Sequence, residues 1–270
     1  MSYKIVFSDI DGTLLNKDRE LSERTINAIK AIKNEIPIVL ISARMPAAMR
    51  HLQQQLGIED QPIICYNGGF VIIDEQPVSS TAISVPTIEE LAKYNQKNNV
   101  HLSLYHADEW HVPEYDYWAK REEKNTKVTP SIKHIHEVMD DWGKRELGAH
   151  KIMCMGDEEH IEDLFNFLQE NYNDQLHIYR SKSTYIEIAN KQISKLTAIK
   201  YLLKNHYNLS LEETVAFGDN YNDVEMIEGV GMGIAVENGR DETKAVANKI
   251  TDTNLNDGVA KSIEELFLNK

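Results

Sequence analysis

Short, continuous apolar segments constrain the fold of this 270-residue chain more than any other feature. Residues 3–7 and 38–41 are rich in β-branched and aromatic side chains, and each segment stops where polar residues begin. Runs of this kind are typical of strands buried on both faces of a parallel sheet, because half-exposed strands alternate apolar and polar residues. A helix-spaced apolar face at Ile26, Ile29 and Ile32 lies between the two runs. The order strand, helix, strand therefore predicts an α/β fold with a doubly wound parallel sheet.

The same reading extends to both ends of the chain. Ser22 is placed to N-cap the first helix and Gly57 to terminate the second, which ends at Leu56. Strands are predicted at 3–7, 38–41, 63–65, 70–73, 214–217 and 231–236. The first helix is predicted over 23–34, and two later helices over 195–205 and 222–227. The core of the fold is therefore predicted to consist of two separate chain segments, 1–82 and 188–270.

Residues 83–187 follow a different pattern, with alternating rather than continuous apolar strands. Thr87 to Glu90 has the form of a capping box, which predicts one helix. Strands are predicted at 101–105, 110–112, 151–155, 176–179 and 185–188. We interpret this segment as an α+β module inserted into the core.

Charge and cysteine content narrow the classes of function. A formal net charge of -14 repels nucleic-acid phosphates, so we expect no nucleic-acid partner. Cys65 and Cys154 each lie in an apolar run, which indicates buried thiols in a reducing compartment and predicts a cytoplasmic location. The first residues do not resemble a signal peptide, and no segment approaches the length of a membrane helix, so no membrane partner is expected.

Polar residues follow three of the predicted core strands. Asp9 and Asp11 follow the first, Ser42 follows the second, and Asp219 and Asp223 follow the strand at 214–217. In an open parallel sheet these loops emerge at one edge, where ligands bind. Carboxylates gathered there would repel each other unless a cation lay among them, and oxygen ligands suit Mg²⁺. The sequence therefore predicts a magnesium site that receives a phosphate.

These residues carry a resemblance to a known family. Asp9-Ile10-Asp11-Gly12-Thr13, Ser42, Lys195 and Gly218-Asp219 with Asp223 resemble, in order, the four motifs of the haloacid dehalogenase (HAD) superfamily. The stretch 218–260 is similar to the Cof-type subfamily. The resemblance implies a Rossmann-like core and a magnesium-dependent phosphatase that hydrolyses a small phosphorylated metabolite, such as a sugar phosphate or cofactor phosphate.

The resemblance also implies roles for individual residues. Asp9 would attack phosphorus and become an aspartyl phosphate, and Asp11 would act as general acid and base. A carboxylic acid at position 11, rather than threonine, favours a hydrolase over an enzyme that preserves its phosphorylated intermediate. Phosphoryl oxygens would be bound by the Ser42 hydroxyl, the backbone amides of Ile10 and Ala43, Lys195 and Asn222. The metal would be held or supported by Asp9, the carbonyl of Asp11, Asp219, Asn220 and Asp223.

Some of these assignments have alternatives. The family usually has Thr-Gly-Arg where this chain has Ser42-Ala43-Arg44, and Ser42 is equally suited to N-cap the following helix. Lys191 competes with Lys195 for the phosphate, but Lys195 begins a helix as in the family.

Ten histidines invite a zinc interpretation, which their spacing does not support. His134-Ile135-His136 is predicted to lie on a strand with both imidazoles on one face, without a matching cysteine or carboxylate set. The tryptophans at 110, 118 and 142 are expected to pack in a core.

The inserted module resembles the cap of Cof-type enzymes, which would exclude water and select the leaving group. Two further functions remain open: a phosphotransferase or phosphomutase of the same superfamily, and a non-catalytic sensor of phosphorylated metabolites. The sequence leaves the substrate and the oligomeric state undecided.

Overall fold

A computed structural model describes residues 3–269, which form two compact units. Its strands are β1 (Ile5–Ser8), β2 (Ile38–Ile41), β3 (Ile63–Cys65), β4 (Phe70–Ile73), β5 (Gln76–Ser80), β6 (Ile83–Ser84), β7 (His101–His106), β8 (Glu109–Val112), β9 (Ser131–Ile132), β10 (Gly148–Ala149), β11 (Lys151–Met155), β12 (Leu176–Lys182), β13 (Tyr185–Asn190), β14 (Thr214–Gly218), β15 (Met232–Val236) and β16 (Lys249–Thr251). Its α-helices are α1 (Glu23–Ile32), α2 (Ala47–Leu56), α3 (Val85–Asn95), α4 (Tyr117–Thr126), α5 (Ile135–Lys144), α6 (Glu158–Tyr172), α7 (Lys195–Leu202), α8 (Val224–Gly229), α9 (Asp241–Val246) and α10 (Gly258–Ile263).

The first unit comprises residues 3–43, 49–78 and 194–269 and contains an eight-stranded sheet. The strand order is β16-β15-β14-β1-β2-β3-β4-β5, and the six strands from β16 to β3 are parallel. Strand β4 pairs antiparallel with β3. The central strands β1, β2 and β14 are fully buried, as their continuous apolar sequences predicted. The predicted α/β fold with a parallel-rich central sheet is confirmed.

The parallel register determines where the polar loops emerge. Val6 of β1 lies beside Val215 of β14 on one side and Ile38 of β2 on the other. The carboxyl ends of β1, β2 and β14 therefore meet at one edge of the sheet. The segments that follow them begin with Asp9, Ser42 and Asp219.

The second unit comprises residues 44–48 and 79–193. A six-stranded sheet with the order β12-β13-β11-β7-β8-β9 forms its centre, and the pairs are antiparallel except β8 with β9. Side chains from α3, α5 and α6, among them Trp142 of α5, form one hydrophobic core with alternate sheet residues such as Ile152 and Cys154 of β11. The predicted insertion, 83–187, lies inside this unit, and its role as a cap stays a prediction.

The structure differs from the prediction at His134 and His136. His134 is the N-cap of α5, and its side chain accepts a hydrogen bond from the backbone N–H of His136, so the predicted strand is wrong. The apolar residues that follow are buried at Val138, Met139 and Trp142, a spacing that places them on one helix face. That burial outweighs the local alternation of His-Ile-His.

Two further differences have local causes. Strand β5 was not predicted, because it lies at the edge of the sheet and its residues are largely exposed. The helix predicted over 195–205 leaves α geometry after Leu202, where a π turn spans Leu203–Tyr207. Within residues 3–269, every helix is too short or too polar to cross a bilayer.

Candidate active site

Asp9 occupies the first position after β1 and is buried, with 5% of its surface exposed. Its backbone N–H donates to the carbonyl of Phe217 at 3.0 Å, which continues the pairing between β1 and β14. The carbonyl of Ile10 then accepts the N–H groups of Leu14 and Leu15, which closes a tight turn. The sheet therefore holds Asp9 rigidly, while the next residues turn away from it.

Three carboxylates gather at this edge of the sheet. One oxygen from each of Asp9, Asp219 and Asp223 lies within 4.8 Å of the other two. The Asp11 side chain is not part of this group, since it is 39% exposed and lies 3.7 Å from the guanidinium of Arg19. Asp11 belongs to the turn rather than the strand, which explains why its side chain points elsewhere.

Lys195 supplies a positive charge within the cluster. Its Nζ lies 2.5 Å from Asp9 Oδ1 and 2.6 Å from Asp223 Oδ1, and its side chain is fully buried. It is the first residue of α7, which Ser194 and Thr197 begin with a reciprocal capping box. Lys191, the competing lysine, instead donates to the carbonyl of Asn173 at 2.5 Å.

Burial and the neighbouring charges shift the pKa values of these groups. Burial, followed by the charges of Asp223 and Asp219, raises the pKa of Asp9 well above its usual range, although Lys195 opposes the shift. Burial and then Asp223 raise the pKa of Asp219 to about 6. Burial alone would lower the pKa of Lys195, but Asp223 and Asp9 raise it, so the ammonium is charged.

Asp223 is anchored by both of its oxygens. Oδ1 accepts from Lys195, while Oδ2 accepts the backbone N–H groups of Asp219 and Asn220, each at 3.0 Å. A Cβ at Gly218 would lie 2.5 Å from the Cβ of Asp223, so a side chain there would displace this carboxylate. Asp223 therefore shapes the loop that carries Asp219.

Asp219 contacts the loop that follows Asp9. Its Oδ1 accepts a hydrogen bond from Thr13 Oγ1 at 2.9 Å. Gly12 has a φ of +88°, and a Cβ there would come within 2.5 Å of Asp219 Oδ2. Glycine is therefore required at position 12 both for the backbone conformation and for the close approach.

Of the other predicted phosphate-binding residues, Ile10 and Asn222 adjoin cluster residues in the chain, and Ser42 and Ala43 follow the neighbouring strand β2. Ser42 and Ile10 are buried and Ala43 is partly buried. Asn222 is partly buried and donates from Nδ2 to Asn67 Oδ1 at 3.0 Å. Asn220 is exposed, and its side chain accepts the backbone N–H of Tyr221.

Sequence reasoning missed Asn67. Asn-Gly-Gly at 67–69 is a typical turn sequence, but nothing in the sequence links that turn to residue 222, which lies 155 positions away. The backbone N–H of Asn67 also donates to the carbonyl of Ser42 at 2.8 Å. Asn67 thus contacts two of the residues predicted to bind phosphate.

The donor set suits a hard divalent cation. Three carboxylates face one ammonium, which leaves a local charge of about -2 when all are ionised. The pKa values of Asp9 and Asp219 are raised first by burial and then by the neighbouring carboxylates. Carboxylate oxygens without nitrogen or sulfur ligands favour Mg²⁺ or Ca²⁺ over Zn²⁺. The residues present therefore fit the predicted magnesium ion.

Comparisons with known proteins agree with this chemistry. A family model described as haloacid dehalogenase-like hydrolase matches residues 6–263. A candidate phosphatase of Haemophilus influenzae is 32% identical over 271 residues, which is 99% of each chain. A Bacillus subtilis protein named 5-amino-6-(5-phospho-D-ribitylamino)uracil phosphatase is 27% identical over 97% of each chain. A haloacid dehalogenase-like hydrolase from Bacteroides thetaiotaomicron has a similar structure, with a TM-score of 0.89 and 26% identity over 98% of this chain and 100% of that one.

Proposed function

We propose a specific reaction for this chain, which belongs to the haloacid dehalogenase-like hydrolase family. The proposed reaction is the magnesium-dependent hydrolysis of a small phosphate monoester through an aspartyl phosphate on Asp9. Family membership makes the chain a hydrolase, and the relatives named as phosphatases support a phosphate ester as its substrate. The Cof-type resemblance noted in the sequence is confirmed. The metal, the intermediate and the role of each residue are our proposal.

One observation carries the proposal most directly. Lys195 lies buried between Asp9 and Asp223, within a cluster of three carboxylates at the carboxyl edge of the sheet. A lysine placed only for stability would more often extend into solvent, since Lys is rarely buried unless paired. Here the ammonium touches the predicted nucleophile, where it would also attract the phosphoryl group.

In the proposed reaction a carboxylate oxygen of Asp9 attacks phosphorus and the bond to the ester oxygen breaks. Asp11 gives its proton to the departing alkoxide and later removes a proton from the water that hydrolyses the acyl phosphate. The carboxylate left by the first transfer is the base that the second step needs, so Asp11 ends the cycle protonated, as it began. Lys195, Ser42 and Asn222, with the amides of Ile10 and Ala43, stabilise the negative charge that develops on the phosphoryl oxygens.

Asp9, Asp219 and the carbonyl of Asp11 would hold the magnesium ion, with Asn220 and Asp223 in support. Both oxygens of Asp223 already accept hydrogen bonds, which favours a supporting role through water or through the loop. When bound, the ion neutralises negative charge on the phosphoryl group and on the carboxylates. In its absence, the ammonium of Lys195 would still reduce the repulsion between Asp9 and an incoming phosphate.

The proposed substrate is a small phosphorylated metabolite, and sugar phosphates, flavin mononucleotide and pyridoxal phosphate are all compatible with it. The Bacillus subtilis relative acts, by its name, on a phosphorylated ribityl compound, so a ribityl phosphate belongs in the first panel of substrates. The net charge of -14 supports a small substrate rather than a nucleic acid. The proposed cytoplasmic location is based on Cys65 and Cys154, which are buried free thiols.

The test is release of inorganic phosphate from a panel of monoesters, with Mg²⁺ and with a chelator, for the wild type and Asp9→Asn. We expect magnesium-dependent release that disappears in the variant, while Asp18→Asn, an exposed control in the same unit, keeps it. Circular dichroism checks that Asp9→Asn folds. Wild-type activity in Asp9→Asn would rule out the nucleophile, transfer of phosphate to an added sugar would favour the phosphotransferase, and binding without turnover would favour the sensor.

A further inference from the structure

The turn between β3 and β4 has an unusual backbone. Tyr66, Asn67 and Gly68 follow one another with φ values of 53°, 55° and 103°. Glycine adopts such angles freely and asparagine tolerates them, but a buried aromatic residue rarely does. Strained backbone of this kind persists only where the surroundings enforce it, and it concentrates at functional sites.

This turn joins three segments of the candidate site. The backbone N–H of Asn67 donates to the carbonyl of Ser42 at 2.8 Å, and its side-chain Oδ1 accepts from Asn222 Nδ2 at 3.0 Å. A Cβ at Gly68 would lie 2.4 Å from the carbonyl oxygen of Ser194, immediately before Lys195. The left-handed conformation thus allows one residue to reach Ser42 and Asn222 while its neighbour packs against the start of α7.

The hydrogen bond to Asn222 has a directional consequence. A carboxamide is planar and carries two N–H donors on one nitrogen. When one N–H is held by Asn67 Oδ1, the direction of the second is determined as well. Because Asn67 Oδ1 is an acceptor, the carboxamide of Asn222 turns its nitrogen, rather than its oxygen, toward Asn67.

We propose that Asn67 is a positioning residue for phosphate binding, which acts by orienting the amide donor of Asn222 and by holding the backbone at Ser42. The inference rests on the proposed function, because Ser42 and Asn222 are phosphate ligands only within it. Asn67 itself needs no contact with the phosphate. Its effect is therefore expected to depend entirely on Asn222 when its side chain alone is removed.

A double-mutant cycle tests this dependence with inorganic phosphate as the probe. Asn67→Gly removes the acceptor but retains the left-handed backbone, so it isolates the side chain. Its matched control is Asn208→Gly, because Asn208 is exposed and has a φ of 52° in the same unit. Asn222→Ala and the double variant complete the cycle, and the dissociation constant of phosphate is measured by calorimetry in the presence of Mg²⁺.

We expect Asn67→Gly and Asn222→Ala each to weaken phosphate binding about tenfold, as for one hydrogen bond to a charged group, and the double variant to bind no more weakly than Asn222→Ala. Asn208→Gly should bind phosphate like the wild type. The proposal would be overturned if the double variant lost phosphate affinity by the product of the two single-variant factors. Unchanged phosphate binding in Asn67→Gly would overturn it as well.

Steady-state kinetics of phosphate release separates this inference from the proposed function. If the wild type binds phosphate but releases none from any ester, the hydrolase proposal fails while the binding cycle still decides the role of Asn67. If the wild type neither binds phosphate nor releases it from any ester, both proposals are overturned. If it turns over, Asn67→Gly should lower kcat/KM by the same factor as the phosphate affinity.

Discussion

Replacing Lys195 with methionine keeps an unbranched apolar chain as far as Cε but removes the ammonium that Asp9 and Asp223 share at 2.5 and 2.6 Å. All three side chains are at least nine-tenths buried, so both carboxylates would lose their compensating charge without gaining water. The folded protein can relieve this repulsion by binding one additional proton. The free energy of that protonation sets the size of the effect.

A carboxyl with an unfolded pKa near 3.9 costs about 4 kcal/mol to protonate at pH 7 and about 1.5 kcal/mol at pH 5, at 1.36 kcal/mol per unit. We therefore expect Lys195→Met to lower the metal-free unfolding free energy by about 4 kcal/mol at pH 7, within the range for breaking a buried ion pair. The loss should shrink toward pH 5, because the folded variant binds more protons than the unfolded chain across this window.

Urea denaturation followed by far-UV circular dichroism measures this loss, with chelator present. The tryptophans at 110, 118 and 142 all belong to the second unit, so fluorescence reports that unit separately. Lys200→Met is the matched control, since Lys200 is an exposed residue of the same helix. An equal loss in both variants at pH 7, or a loss from Lys195→Met that does not change with pH, would refute the reasoning.

Two further predictions concern pH and metal. Burial and Asp223 raise the pKa of Asp219 to about 6, so ionisation of this carboxyl destabilises the metal-free fold as the pH rises. At pH 7 without metal, Asp219→Asn should therefore have a higher melting temperature than the wild type. Addition of Mg²⁺ should not raise the melting temperature of the variant. Equal stabilisation of both proteins by Mg²⁺ would contradict this. Burial and nearby His106 lower the pKa of His150 to about 3, so between about pH 6.5 and 3 this residue binds a proton in the unfolded chain but not in the folded protein. Its contribution to stability therefore falls with acidification by about 1.4 kcal/mol per pH unit. His150→Gln should flatten that slope in urea titrations while the exposed control His136→Gln keeps it, and parallel curves would exclude His150 as the cause.

Several elements of the core could be predicted from local sequence because their local and global preferences agree. The strand at 38–41 has the predicted bounds. Four consecutive apolar residues in a strand put apolar side chains on both faces, and both faces are buried when helices cover the two sides of the sheet. Gly57 ends the second helix with a φ of 68°, as its position predicted. In contrast, β5 has no apolar signal, because pairing at the sheet edge rather than burial defines it.

The sequence by itself determined the parallel sheet and the kinds of residue at its carboxyl edge, because a buried strand requires a continuous apolar run and its end frees the next residues to be polar. Only the tertiary structure decided which of those residues touch. Lys195 reaches Asp9 across 186 positions and Asn222 reaches Asn67 across 155, whereas the side chain of Asp11 turns toward Arg19. Such contacts depend on how α7 and the turn after β3 pack at the sheet edge, and packing between elements distant in the chain leaves no periodic pattern in the sequence.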